Sequence, residues 1–230
     1  MTLTDNQRQK LLESLKSYKR RYLTKKNEKL DESATRIMIN SFLSEVLGFE
    51  ELEEIRTEYC IRGSYADYVI QSNRKKHLIV EVKAISLNLT EQHLRQASGY
   101  GANEGIDWIL LTNGREFQFY RLIFEKPVRL KKVFHIDLSD LDDLKRSVDS
   151  IGLFTKKGIE KGCLEDYWNR FKALDKESLS KHLYKIEVVR FLKKCLKQQT
   201  KLNFAEEDIF DSIHEIVTHP IELQKPRLKK

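Results

Sequence analysis

An α/β fold, with a mixed β-sheet core flanked by helices and a helical module behind it, is predicted by three features of the 230-residue sequence. Leu78–Ile85 and Trp108–Thr112 are short, nearly continuous apolar runs, as expected of strands buried on both faces. Asn113-Gly114 is a strong hairpin-turn signal and leads into a further strand, Glu116–Ile123. From about residue 138 onward strand patterns give way to successive helical ones, and only three Pro and nine Gly interrupt the chain.

Taken in order, residues 4–29 form a helix with Leu11, Leu12, Leu15, Tyr18 and Tyr22 along one side, and Lys and Arg crowd its second half. A second helix covers residues 31–47, where Gly48 is a fitting stop. A first strand follows at about Glu54–Ile61, and then a hairpin runs through the polar turn Gln71–Lys76. The next helix is capped by Asn88 with Glu91 three residues on, and Gly99, Gly101 and Gly105 weaken its far end. After a last strand near Val128–Ile136, helices are expected at Leu141–Ile151, Ile159–Leu174, Leu179–Gln199 and Glu206–Thr218. The chain is thus divided into a basic amino-terminal helix (1–30), a sheet core (31–137) and a helical carboxy-terminal module (138–230), with 152–158 as a joint.

The net charge of +7 is unevenly spread. Residues 1–30 carry nine Lys/Arg against three acids, residues 31–150 sixteen against twenty, and residues 151–230 seventeen against twelve. An acidic centre between basic flanks fits a carboxylate site served by a polyanion, although a solvated charged surface accounts for it nearly as well. Cys60, Cys163 and Cys195 are too widely spaced for a metal-ligand pattern and indicate a reducing, cytoplasmic setting. No apolar run approaches the roughly 20 residues that span a bilayer, and the polar amino terminus is unlike a secretory signal.

Chemistry is concentrated between Tyr65 and Tyr100. Along a strand, residues two apart share a face, so Glu81 and Lys83 point the same way. A hairpin centred on Arg74 sets Asp67 directly across from Glu81, with Cβ atoms roughly 4.5–5.5 Å apart. Two carboxylates that close repel unless a cation lies between them. Oxygen-only ligands favour a hard ion, Mg²⁺ or Mn²⁺, over zinc, and Lys83 beside it can orient water or steady a phosphate oxygen. The ordinary alternative is a charged pair on the wet face of an edge strand. On the helix that follows, Gln92, Gln96 and Tyr100 recur every four residues as a polar stripe, suited to a phosphate or base or simply to solvent.

Asp67, the Glu81-Val82-Lys83 triplet and the Q-x-x-x-Y motif of Gln96 and Tyr100 resemble the PD-(D/E)xK nuclease superfamily, and more narrowly the amino-terminal nuclease domain of type I restriction enzyme R subunits. Glu32, Thr35-Arg36, Leu43–Phe49 and Glu58 upstream and Leu110–Gly114 downstream also look like that domain. Ala66 stands where the name motif has Pro. The resemblance implies a restriction-endonuclease-like core and a Mg²⁺-dependent DNA endonuclease in restriction, defence or DNA processing. Asp67 and Glu81 would hold the metal, Lys83 would serve catalysis, and Gln96 and Tyr100, with Gln92, would position DNA or support the site. A helix acid joins such sites, and Glu32 is favoured over Glu45. The partners implied are DNA and either a second copy of the chain or a larger defence complex. No GxxxxGK[ST] phosphate loop is present, so ATP-coupled cleavage by this chain alone is not expected. The alternative function is a catalytically silent nucleic-acid-binding or protein-interaction module on the same scaffold.

Overall fold

A computed structural model describes residues 3–61 and 64–219. Its six strands, β1 (Ile55–Ile61), β2 (Ser64–Ser72), β3 (Lys75–Val82), β4 (Trp108–Thr112), β5 (Glu116–Ile123) and β6 (Arg129–Asp137), make one sheet in sequential order. Short links force antiparallel pairing everywhere except between β3 and β4, which are parallel. There residues 83–107 carry the crossover helix α3 (Leu94–Glu104). The mixed α/β sheet expected from the apolar runs is therefore present.

The β2–β3 register has two parts. Asn73 (φ 50°) and Arg74 (φ 63°) supply the left-handed backbone of a two-residue turn, which pairs Ser72 with Lys75 and Gln71 with Lys76. A bulge between Ile70 and Gln71 then shifts the ladder to Ile70↔Leu78, Val69↔Ile79 and Tyr68↔Val80. One step beyond the last pair, that register sets Asp67 across from Glu81. The turn is centred half a residue away from Arg74, and the bulge restores the expected alignment.

The two faces of the sheet are covered differently. On one, Val69, Ile79, Ile109, Leu111, Tyr120 and Leu122 pack with Leu94, Ala97 and Tyr100 of α3. A Cβ on Gly101 would come within 2.7 Å of the Ile106 carbonyl oxygen and 2.9 Å of Leu122 Cδ2, so the close seat of α3 depends on this glycine. On the other face Phe42 lies 4.3 Å from Phe117, and Phe154 stacks on Phe119 at 3.8 Å and meets Trp108 edge-on at 5.5 Å. This face belongs to α1 (Asp5–Tyr22), α2 (Glu32–Ser41) with its π-helical continuation Phe42–Val46, and the segment that follows α4 (Leu141–Gly152). Arg8 joins α1 to α4 through Asp149 at 2.9 Å.

Compactness divides the chain into Met1–Leu164 and Glu165–Lys230. Residues 138–164, grouped from sequence with the helical module, thus lie in the first unit. Phe154 enters its core, and α5 (Lys156–Glu160) is tied to it by Lys156 to Glu50 at 2.8 Å and to Glu54 at 3.0 Å. In the second unit, α8 (Ile186–Thr200) and α9 (Glu206–Thr218) enclose Val189, Ile209 and Ile213, and Arg190 pairs with Glu206 at 3.1 Å.

Several helix limits depart from the sequence reading. Helix α1 ends at Tyr22, whose carbonyl accepts a hydrogen bond from Asn27 Nδ2 at 2.8 Å, and the chain continues as a short 3-10 turn, Lys25–Asn27. The 159–174 helix is split by Lys161-Gly162 into α5 and α6 (Cys163–Ala173), and the 179–199 helix by Tyr184-Lys185 into α7 (Lys176–Leu183) and α8. Thr90 rather than Asn88 caps the turn before α3, where its N–H donates to His93 Nδ1 at 3.2 Å. Cys163 is buried and Cys195 exposed. The side chain of Cys60 lies outside the described residues.

Candidate active site at the β2–β3 fork

Asp67 and Glu81 sit where β2 and β3 stop pairing. They lie one step beyond the last ladder pair, Tyr68↔Val80, at the end of the sheet that the amino-terminal turn of α2 reaches. Because the strands part here, the Val82 N–H donates to Asp67 Oδ2 at 2.7 Å. Glu81 Oε1 accepts from Lys83 Nζ at 2.6 Å. Lys83 keeps its own backbone in the sheet, donating its N–H to the Thr112 carbonyl at 2.8 Å.

The amino-terminal turn of α2 completes the cluster. Asp31 caps this helix, accepting from the Ala34 N–H at 2.8 Å, and so sets Glu32 and Arg36 one turn apart on one face. Arg36 Nη2 reaches Glu32 Oε1 at 3.0 Å and Asp67 Oδ1 at 2.5 Å, while Glu32 Oε2 lies 3.6 Å from Lys83 Nζ. The side chains form an alternating chain of charge, Asp67, Arg36, Glu32, Lys83, Glu81. It opens from Glu81, 6% exposed, toward Glu32, 39% exposed. The Arg36 backbone is pinned from below by the Tyr68 hydroxyl, which donates to its carbonyl at 2.7 Å.

Titration follows from this burial. Desolvation is the largest effect on Asp67 and raises its pKa despite the Val82 N–H and Arg36, which pull it down. Glu81 is also raised, first by desolvation and further by the nearby Asp67 charge, against the hydrogen bond from Lys83. Burial alone would lower Lys83, but Glu81, Glu32 and Asp67 together outweigh it and raise its pKa. Burial, with Asp67 next to it, also pushes the Tyr68 hydroxyl up to about 12. Three acids thus face two bases, and the surplus negative charge is on partly desolvated oxygens.

The structure brings Asp67, Glu81, Lys83 and Glu32 together. Glu45 is elsewhere, paired with Arg21 at 2.7 Å. The polar stripe on α3 does not form as expected. Gln92 belongs to the tighter 3-10 turn Glu91–His93, so the four-residue spacing does not carry through it. Gln92 and Gln96 are exposed, whereas Tyr100 is 4% exposed and turns inward with Leu94 and Ala97 against the sheet. Tyr100 therefore belongs to the apolar core between α3 and the sheet. Arg36 is the charged group missed by spacing rules, because its partner Asp67 is distant in sequence.

Residues 31–133 match the family model of the type I restriction enzyme R protein N terminus. The matched stretch contains Glu32, Arg36, Asp67, Glu81, Lys83, Gln96 and Tyr100 and all six strands as far as Val133, so the R-protein match and the charged cluster coincide. The basic helix α1 and everything after β6 lie outside it. Neither a curated protein nor a solved structure matches the chain. Among the described residues, no group of three or more His, Cys, Asp and Glu is placed to hold a metal ion, and no helix is long and apolar enough to cross a membrane.

Proposed function

We propose that the R-protein-like core is a Mg²⁺- or Mn²⁺-dependent DNA endonuclease acting in restriction or defence, in the cytoplasm. The observation that carries this reading is the pair of buried carboxylates, Asp67 and Glu81, held at the fork of two strands beside Lys83. The donor set fits a hard divalent ion. It is all oxygen, it retains surplus negative charge, and two protein carboxylates leave the remaining positions for water and phosphate oxygens, as Mg²⁺ prefers. Asp67 and Glu81 would hold the ion, which when bound supplies Lewis-acid stabilisation of the phosphate undergoing attack.

The chain's own groups do the rest. Val82 N–H fixes the Asp67 carboxylate so that its other oxygen faces the cluster. Lys83 holds Glu81 at 2.6 Å and presents remaining N–H donors, which can orient a water or bind a phosphate oxygen. Glu32, the most exposed acid of the chain of charge, stands within 3.6 Å of Lys83 and keeps that ammonium charged and in place. The cations of α1 and the 25–29 turn give a surface for the DNA backbone, and Gln92 and Gln96 add exposed amide donors on the α3 side.

Plasmid nicking tests the reading. Wild type should cut with Mg²⁺ or Mn²⁺ and not with EDTA, and Asp67→Asn, Glu81→Gln and Lys83→Ala should each lose roughly two or more orders of magnitude in rate. A second reading is favoured by one observation: Arg36 and Lys83 already occupy both carboxylates. If wild type binds DNA yet cuts nothing with either metal, the chain is instead a catalytically silent DNA-binding module.

A further inference from the structure

The Asp67–Arg36 pair is not arranged like a permanent structural salt bridge. One nitrogen, Arg36 Nη2, serves both Asp67 Oδ1 at 2.5 Å and Glu32 Oε1 at 3.0 Å. The guanidinium therefore does not use the two-pronged grip that makes arginine–carboxylate pairs strong. Its Nε is buried without a hydrogen-bond partner. A buried donor left unsatisfied costs free energy, and a second arrangement of the same side chain could relieve it.

The attachments of the pair are equally uneven. Tyr68 fixes the Arg36 backbone, but the side chain is one-third exposed and has a second acid, Glu32, on its solvent side. Asp67 has one oxygen locked by the Val82 N–H, so it can change partners at Oδ1 without moving. The oxygen that Arg36 covers is the one not engaged by the Val82 N–H, and so the one open to exchange for an ion.

Resting on the nuclease reading above, we infer that Arg36 is a displaceable counter-cation. It neutralises Asp67 Oδ1 in the resting site and gives that oxygen up to the incoming divalent ion, retained meanwhile by Glu32. Arg36 is in this sense a positioning residue that sets how much metal the site requires. A merely structural pair predicts the opposite sign: without Arg36, Asp67 would be less well held and metal binding would weaken.

The test is calorimetric titration of Mn²⁺ into full-length wild type, Arg36→Gln and Arg36→Lys, with the Mn²⁺ dependence of nicking measured alongside. Arg36→Gln should bind Mn²⁺ about tenfold more tightly, the low end of what a neighbouring cation does to a carboxylate's affinity for a positive ligand. Its half-maximal Mn²⁺ for nicking should fall by the same factor. Arg36→Lys keeps the charge on a shorter reach, so it should shift the same way by less and serves if the Gln variant folds poorly. If wild type binds and cuts while both variants bind Mn²⁺ equally or more weakly, the inference is overturned and the nuclease reading stands. If no form binds Mn²⁺, both fall together.

Discussion

Replacing Phe154 with Ala tests whether the segment after α4 belongs to the sheet unit. Phe154 is fully buried, stacked on Phe119 at 3.8 Å and set edge-on to Trp108 at 5.5 Å and Phe134 at 5.9 Å. Truncation removes a ring enclosed by three others, and a Phe→Ala change of this kind costs about 3–5 kcal/mol. Pairing with each of those three rings adds roughly 0.5–1.5 kcal/mol beyond burial, so the upper half of that range is expected. For a unit of this size, a destabilisation of about 4 kcal/mol lowers the melting temperature by roughly 8–16 °C. Circular dichroism melts and urea titrations read the effect directly, with Leu174→Ala, at a site 71% exposed, as a control that should stay within about 0.5 kcal/mol. A loss below about 1 kcal/mol for Phe154→Ala would show that residues 138–164 are not part of the core.

Two further expectations concern charge. Burial raises the Glu81 pKa above its ordinary value of 4.5, so the stability this group contributes is complete below that value and is lost as pH rises through the raised one. Glu81→Gln should therefore melt higher than wild type at pH 7.5 and lose that advantage on acidification to pH 4; a variant less stable at pH 7.5 contradicts the assignment of burial as the dominant cause. Changing Lys16, Arg20, Lys25 and Lys26 together to Gln should flatten the salt dependence of metal-free duplex binding by about 0.9 in log–log slope for each phosphate that these cations neutralise. Fluorescence anisotropy across a salt series measures it, and an unchanged slope removes α1 from the DNA surface.

The strands and the Asp67–Glu81 juxtaposition were legible because both depend on local pattern. Apolar runs mark β3 and β4, and a two-stranded register is fixed by its turn, even though a bulge and a shifted turn centre cancelled here. Glu32 was read from its place beside Thr35 and Arg36, and it lies 3.6 Å from Lys83. What escaped depends on long-range partners. Arg36 finds Asp67 across the fold, Asn27 ends α1 by reaching back to Tyr22, and Tyr100 turns inward because the sheet needs an apolar lid. The break at Tyr184-Lys185 has no Gly or Pro to announce it, and Tyr184 there reaches His214 Nδ1 at 3.0 Å. Asn88 and Thr90 are both good caps, and only the backbone path from β3 decides between them.

The lone parallel pairing has a consequence for the order in which the molecule is made. Strands β1, β2 and β3 zip through near neighbours, as do β4, β5 and β6, whereas the ladder joining the two groups brings Leu78 to Trp108 across the α3 crossover. Closing that longer loop is the costlier step, so the two meanders should form first and meet last. Lys83 lies on this seam through its bond to Thr112, which leaves the carboxylate strand without its final surroundings until the halves join. Pulse-labelled hydrogen exchange should find amides within each meander protected before those of the β3–β4 seam; simultaneous protection would refute this order. The charged cluster at the β2–β3 fork would then be among the last parts of the newly made chain to take shape.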